Sequence, residues 1–202
     1  MRLVIALLPA LTMGAVLAGC DRQNASAPQG NETAVAAANE ATAAPAPGGQ
    51  RYPTGRLDRS HAGTPAPTIG FEDPQGRPTN MAAFRGRPVL VNLWATWCGP
   101  CVVEMPALDA LAAREGDNVQ VLAISQDMDG RQKVTDFFAA RRFAALEPYL
   151  DARLDFMMGL RVDTLPTTIL YDADGKEVWR MTGMAEWGDE RTTRLIAEAD
   201  AG

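Results

Sequence analysis

The sequence predicts an α/β fold in which a central mixed β-sheet is covered by helices on both faces. Two apolar runs of strand length, VLVNLW at 89–94 and VQVLAIS at 119–125, have the composition of buried central strands. A segment of helical character follows each run, and two further strand-like runs flank the turn DADG at 172–175 as in a hairpin. Strands that alternate with helices and end in a hairpin indicate a mixed sheet between helical layers.

The individual elements follow from local patterns. The helix that begins at Cys98 has apolar residues at helical spacing and contains Pro106, which we expect to kink it. Trp94, inside the apolar run 89–94, is expected in the core. The other predicted elements are a short strand at 68–72, a helical turn at 80–84, helices at 132–141 and 154–160, strands at 167–171 and 176–181, and a helix at 189–199.

Length and charge limit the class of protein. The chain has 202 residues, 47% of them hydrophobic, which is enough for one domain with a substantial core. Its formal net charge of -6 argues against nucleic acid as a partner, because attraction to phosphates needs a basic surface. The three cysteines cannot all pair with one another, so one must have a separate fate.

The N-terminus suggests that fate for Cys20. A positive start at Met1 and Arg2 precedes the uncharged apolar run 3–18, as in a secretory signal. The following LAGC at 17–20 resembles the lipobox of bacterial lipoproteins, which implies a signal peptide at 1–19 and lipidation of Cys20. Asp21 resembles a signal for retention in the inner membrane. The alternative is an uncleaved membrane anchor, and either reading places the rest of the chain outside the cytoplasm, tied to a membrane.

Residues 20–61 form the second predicted region. They are rich in Ala, Pro, Gly and small polar residues and contain little large apolar surface to bury. Such a segment cannot offset the entropy lost on ordering, so we expect a flexible tether between the lipid anchor and a domain at 62–202. A disordered segment that binds a partner is the alternative.

The motif WCGPC at 97–101 carries the chemistry. Cys98 and Cys101 are three residues apart, between a buried strand and a helix. The first turn of a helix stabilises a thiolate through its unpaired N–H groups and positive dipole, so Cys98 should be the nucleophile. Cys101 is then close enough to resolve a mixed disulfide at Cys98. Gly99 and Pro100 shape the turn between them.

Two other uses of the pair fit less well. A permanent disulfide this local closes a very short loop and constrains little of the unfolded chain. A zinc site needs further ligands, whereas the sequence has no second cysteine pair and a single histidine, His61, in the tether region. We therefore expect a redox-active pair, with no metal and no cofactor beyond the Cys98–Cys101 couple.

The sequence resembles the thioredoxin superfamily from about residue 64 to the C-terminus, and most closely its membrane-tethered TlpA-like and ResA-like branch. The residues that carry this resemblance are GTPAP at 63–67, FRGRPVLVNLW at 84–94, WCGPC at 97–101, LPTT at 165–168 and GMAEW at 183–187. The resemblance implies a thioredoxin-like fold, with a mixed sheet flanked by helices, and thiol-disulfide oxidoreductase activity.

The resemblance also implies roles at the substrate-binding surface. Pro166 would be a cis proline facing the active site, with the backbone of Leu165 free to pair with an extended substrate segment. Trp97, Gly99 and Pro100 would lie beside the substrate. The alternatives are an ordinary trans proline at Pro166 and simple core packing of Trp97.

One departure from ordinary thioredoxin concerns proton transfer. The buried aspartate that thioredoxin carries six residues before its first cysteine is Asn92 here, and an amide cannot accept a proton. Glu104 lies one helical turn beyond Cys101, where ResA-like proteins carry a buried acid. We therefore hypothesise that Glu104 accepts the proton of Cys101 when that thiol acts as the resolving nucleophile. The alternative is a solvated glutamate on the helix surface.

The resemblance favours a reductase at the periplasmic face of the bacterial inner membrane. The expected substrates are disulfides in apocytochrome c or in copper-site assembly proteins, and electrons would come from a transmembrane thiol carrier. A disulfide oxidant or isomerase would use the same residues. A thiol peroxidase, suggested by Thr96 two residues before Cys98, and a Cu(I)-binding chaperone are further alternatives.

Overall fold

The fold is built on one eight-stranded mixed sheet, seen in a computed structural model that describes residues 55–200. The strands lie in the order β1-β8-β7-β4-β5-β6-β2-β3. In chain order they are β1 (Arg56–Asp58), β2 (Phe71–Glu72), β3 (Pro78–Thr79), β4 (Val89–Trp94), β5 (Gln120–Ser125), β6 (Tyr149–Leu150), β7 (Thr167–Tyr171) and β8 (Glu177–Thr182).

Four α-helices and two short 3-10 helices complete the described residues. The α-helices are α1 (Gly99–Glu115), α2 (Arg131–Arg141), α3 (Asp155–Gly159) and α4 (Glu190–Ala197), and the 3-10 helices span Met81–Phe84 and Glu198–Asp200. Asn80 caps the first 3-10 helix by accepting the N–H of Ala82 at 2.9 Å. None of the helices within residues 55–200 is long and apolar enough to span a bilayer.

Strand β4 is the centre of the sheet. All six of its residues are buried, and it pairs in parallel with β5 on one side and antiparallel with β7 on the other. A strand covered on both faces needs apolar side chains on both, which explains the continuous run VLVNLW. The predicted mixed α/β sheet is therefore confirmed.

The two faces of the sheet have separate apolar clusters. On one face, Leu90 and Trp94 of β4 pack with Met105 and Leu108 of α1, and α2 and α4 contribute to the same cluster. On the other face, Val91 joins the cluster that contains α3 and the 3-10 helix Met81–Phe84. The sheet is thus covered by helices on both faces, and α1 lies against the face from which Asn92 projects.

The folded region begins earlier than the predicted boundary at residue 62. Strand β1 lies within residues 20–61, the predicted tether, and pairs antiparallel with β8. Leu57 packs against the core, and Arg59 forms an ion pair with Glu198 at 2.6 Å. A three-residue edge strand with one apolar side chain has too weak a pattern to be recognised in sequence. Residues 1–54, including Cys20, lie outside the described residues.

Other differences are small. The predicted strand at 68–72 is reduced to β2, and the two-residue strands β3 and β6 were not predicted. Helix α1 continues through Pro106, which is exposed and lacks the N–H that an interior helical residue would donate. The last helix is shorter than predicted and ends in a 3-10 turn.

Candidate active site

Cys98 and Cys101 form a disulfide at the start of α1, with sulfur atoms 2.03 Å apart and Cα atoms 5.3 Å apart. Cys98 is the N-cap residue, and its Sγ accepts the N–H of Cys101 at 3.4 Å. The Cys98 side chain reaches the surface, with the residue 6% exposed, whereas Cys101 is 0% exposed. Once reduced, Cys98 is therefore the thiol that a protein substrate can reach, and the N-terminus of α1 stabilises its thiolate.

A largely apolar groove of about 470 Å³ opens beside Cys98. Trp97 lies at its rim and is 64% exposed, so its indole is a surface feature and not part of the core. The loop after β5 supplies Gln126 and the exposed Met128. The other lining residues are Pro100, Leu154, Met157, Asp163, Thr164 and Leu165. This arrangement can hold an extended polypeptide with a sulfur atom placed against Cys98.

The Leu165–Pro166 peptide bond is cis. Leu165 lines the groove, and Pro166 directly precedes β7. Pro166 is buried, and its carbonyl oxygen accepts the N–H of Gly183 at 2.8 Å. Within residues 55–200, the amide and carbonyl of Leu165 have no backbone hydrogen-bond partner. They are available to pair with the backbone of a bound peptide.

Glu104 is buried in the interior and is not a solvated helix residue. It is 3% exposed, one turn after Cys101 on α1. Its Oε1 accepts from Asn92 Nδ2 at 2.9 Å, and its Oε2 accepts from the backbone N–H of Ala185 at 3.1 Å. Burial raises the pKa of Glu104 to about 7, although the hydrogen bonds from Ala185 and Asn92 and the nearby Trp187 indole lower it in part. The carboxyl can therefore take up or release a proton near neutral pH.

Asn92 connects Glu104 to strand β7. Its Nδ2 also donates to Thr168 Oγ1 at 3.0 Å, and Thr168 is the residue of β7 that pairs with Asn92 in the sheet. Its Oδ1 is buried and has no partner among the described residues. A protonated Glu104 carries an O–H that needs an acceptor, and rotation of the Asn92 amide would supply Oδ1 for it. The amide can thus serve both protonation states of the carboxyl.

Sequence reasoning did not assign several residues of this site. Ala185 and Trp187 belong to GMAEW, which contributed to the family resemblance but received no role, and Thr168 belongs to LPTT in the same way. Gln126 and Met128 lie in the polar segment SQDMDG, which gives no sign that it borders an active site. Only the register of the sheet and the packing of α1 bring these residues together.

The described residues contain no cluster of three or more His, Cys, Asp or Glu side chains that could hold a metal ion. Thr96, considered for peroxidase chemistry, donates its hydroxyl to Asp127 Oδ1 at 2.6 Å. Cys20, predicted to be lipidated, lies outside the described residues.

Comparison with known proteins agrees with this geometry. The Redoxin family model matches residues 61–196. The thiol-disulfide oxidoreductase ResA of Geobacillus thermodenitrificans is 34% identical over 123 residues, which are 60% of this chain and 69% of that protein.

Solved structures show the same fold. A thiol:disulfide interchange protein assigned as DsbE from Chlorobium tepidum is 24% identical, with a TM-score of 0.61 over 68% of this chain and 96% of its own. The exposed lipoprotein thioredoxin Etrx1 of Streptococcus pneumoniae is 20% identical, with a TM-score of 0.57 over 64% of this chain and 98% of its own. The predicted thioredoxin-like fold and the resemblance to TlpA-like and ResA-like oxidoreductases are confirmed.

The raised pKa of Glu104 predicts a specific pH dependence of stability in the oxidised protein. Because the pKa rises from 4.5 to about 7 on folding, the folded state binds the proton more tightly than the unfolded chain does. The stability that the protonated Glu104 contributes to the folded state is fully present below pH 4.5 and is lost as the pH rises through about 7. The loss amounts to about 3 kcal/mol.

Urea unfolding of the native protein and of Glu104→Gln, between pH 4.5 and 8, measures this effect. Because the variant lacks the titrating group, the native protein should lose about 3 kcal/mol relative to it across the range. A difference between the two proteins that stays constant with pH would mean that Glu104 titrates normally in the folded state.

Proposed function

We propose that this chain, which belongs to the Redoxin family, is a membrane-anchored reductase of protein disulfides outside the cytoplasm. The chain is a thiol-disulfide oxidoreductase that is similar to ResA. The observation that carries the thiol-disulfide exchange in this proposal is the asymmetry of the pair: Cys98 faces an open groove, whereas Cys101 is fully buried with Glu104 one turn further along α1. One cysteine is placed to meet the substrate and the other to release it.

The reaction begins at Cys98. Its thiolate attacks one sulfur of a substrate disulfide, the substrate S–S bond breaks, and the other substrate sulfur leaves as a thiolate that takes up a proton. Cys98 is then joined to the substrate in a mixed disulfide. The groove and the free backbone of Leu165 hold the substrate in place during this step.

Cys101 completes the cycle. Its thiol gives its proton to the Glu104 carboxylate, and the resulting thiolate attacks Cys98 Sγ. The bond between Cys98 and the substrate breaks, and the second substrate sulfur leaves and takes up a proton. Two electrons have then passed to the substrate, and the Cys98–Cys101 disulfide must be reduced again by a dithiol donor, which we propose to be a transmembrane thiol carrier.

The electrostatics of the site favour the reducing direction. A strong oxidant of this superfamily is one whose reduced form is stabilised, which requires a stable thiolate. Here a buried carboxyl lies one turn from Cys101, and its negative charge opposes a second negative charge nearby. An ionised Glu104 therefore opposes stabilisation of the reduced form by a thiolate at Cys101, which supports the proposed direction, whereas the N-terminus of α1 acts on Cys98 alone. The Gly-Pro pair between the cysteines, which resembles that of the reducing thioredoxins, supports the same direction.

The substrates we propose are disulfides in apocytochrome c or in proteins that assemble copper sites, since haem and copper attachment both need free thiols. The proposed location is the periplasmic face of the inner membrane, with Cys20 carrying the lipid. The LAGC sequence before the proposed tether supports this, and the Streptococcus pneumoniae neighbour is itself an exposed lipoprotein.

Mixed-disulfide trapping tests the assigned roles. With reduced protein and a disulfide-containing protein substrate, Cys101→Ser should accumulate a stable covalent complex through Cys98, because nothing remains to resolve it. Cys98→Ser should form none, because its remaining thiol is buried. Glu104→Gln should accumulate the complex transiently, with resolution at pH 7 slowed about a hundredfold.

The reaction is quenched with acid at successive times, and mass analysis measures the amount of complex in each sample. A complex of equal yield in Cys98→Ser would contradict the assignment of the nucleophile. Resolution at the native rate in Glu104→Gln would remove Glu104 from the proton transfer and leave the two cysteine roles intact.

The anchor is tested on the full chain expressed in a bacterial host. Intact-mass analysis of the membrane-extracted protein should show a chain that begins at Cys20 and carries added acyl mass. The Cys20→Ala variant should lack the added acyl mass and should no longer be found in the lipid-anchored fraction. An unmodified chain that begins at Met1 would contradict the lipoprotein assignment and favour the uncleaved anchor.

A further inference from the structure

We infer that Asp127 is a positioning residue for Cys98 and that it acts by holding Thr96 in the loop between β4 and α1. The inference deepens the proposed function, because it explains how the nucleophilic sulfur is kept at the N-terminus of α1. Asp127 follows β5, and its side chain is 0% exposed. A carboxylate buried to this extent is costly unless it is fully hydrogen-bonded.

The partners of Asp127 show which part of the protein it holds. Its Oδ2 accepts the backbone N–H of Thr96 at 2.8 Å, and its Oδ1 accepts the Thr96 hydroxyl at 2.6 Å. One residue of the loop thus supplies two donors to one carboxylate. Ser125 Oγ donates to Oδ2 at 2.8 Å, and Lys133 Nζ lies 3.5 Å from Oδ1.

The position of Thr96 makes this contact important for the thiol. Thr96 is two residues before Cys98, in a connection of only four residues between β4 and the first residue of α1. The Cys98 N–H donates to Ala95 O at 3.1 Å, so the loop is closed on both sides of Thr96. With Thr96 fixed to Asp127, Cys98 has little freedom to leave the N-cap position in which its Sγ accepts the N–H of Cys101.

The strand register explains why Asp127 can reach this loop. Strands β4 and β5 are parallel and end together, with Trp94 paired with Ser125. Gln126 N–H donates to Trp94 O at 2.7 Å and brings the chain after β5 alongside the loop after β4. Asp127 is the next residue and faces Thr96 across this gap. The contact joins two neighbouring loops at the carboxyl end of the sheet.

The charged and titratable groups around Cys98 must stay constant in a test of this inference. They are Cys101 and Glu104 on α1, Asp127 after β5, Lys133 on α2, and Asp163 in the loop before β7. Substituting Asp127 itself would remove a charge as well as the hydrogen bonds, and these two changes affect a thiolate in opposite directions. Substituting Thr96 removes one hydrogen bond and no charge.

The experiment measures the rate of Cys98 alkylation by iodoacetamide as a function of pH, in the reduced full chain, with the modified cysteine identified by peptide mass. In Thr96→Val the hydroxyl is lost, Cys98 moves from the N-cap more readily, and its thiolate is less stabilised. The midpoint of the pH profile should rise, and the rate at pH 7 should fall about tenfold. Thr96→Ser keeps the hydroxyl and should restore both values to within about twofold of the native protein.

Ser125→Ala is the matched comparison. This variant removes a hydroxyl that donates to the same Asp127 carboxylate, but the hydroxyl belongs to β5 and not to the loop before α1. It should therefore lower stability to urea without moving the pH midpoint. If Thr96→Val does not fold, Thr96→Ala removes the same hydroxyl and carries the same expectation. A native pH profile in the Thr96 variant, or an equal shift in Ser125→Ala, would overturn the inference.

Alkylation requires no protein substrate and no electron donor. A failure of this test would therefore leave the proposed reductase function standing, and a failure of mixed-disulfide trapping would leave the alkylation result standing.

Discussion

The phase of helix α1 is the constraint on which the active site depends. Because the helix begins immediately after Cys98, that residue becomes the N-cap and its sulfur meets the unpaired N–H groups of the first turn. Successive residues rotate by 100°, so Cys101 and Glu104 both fall on the side that packs against the sheet. One choice of helix start therefore makes the first sulfur accessible and nucleophilic and places the second sulfur and the acid in the interior.

This arrangement has a consequence for stability. An apolar residue at 104 would pack against β4 without the cost of burying a carboxyl, and Asn92 on the facing strand would then be unnecessary. The chain instead keeps an acid, an amide, a threonine hydroxyl and a backbone N–H in contact inside an apolar cluster. We interpret these buried polar groups as the means of moving a proton to and from Cys101 in a place that water does not reach, at some expense of stability.

Much of the fold was predictable because its central elements carry strong local patterns. Strand β4 has six consecutive buried residues, β7 and β8 flank a clear turn, and α1 follows a motif whose chemistry requires a helix N-terminus. Strands β1, β3 and β6 have two or three residues each, and they exist through pairing with neighbours and not through their own composition. Helix α4, by contrast, is amphipathic and was predicted to within two residues at its ends.

The site was predictable only in part. The sequence identifies Cys98 and Cys101 by spacing, whereas the roles predicted for Glu104 and Pro166 rest on resemblance to a family. The burial of Glu104 depends on packing between α1 and β4, which a helix pattern containing a glutamate does not reveal. The sequence does not reveal the role of Asp127, because SQDMDG has the composition of a solvated turn. Only the parallel register of β4 and β5 places the Asp127 carboxylate against Thr96.

The reduction potential of the Cys98–Cys101 couple at pH 7 tests the central claim most directly, and equilibration with defined thiol buffers measures it. The proposed reductase should have a potential at or below about -230 mV, toward the thioredoxin end of the range. A potential above about -180 mV would mean that the pair gives disulfides to its substrates, and it would contradict the proposed direction of electron flow.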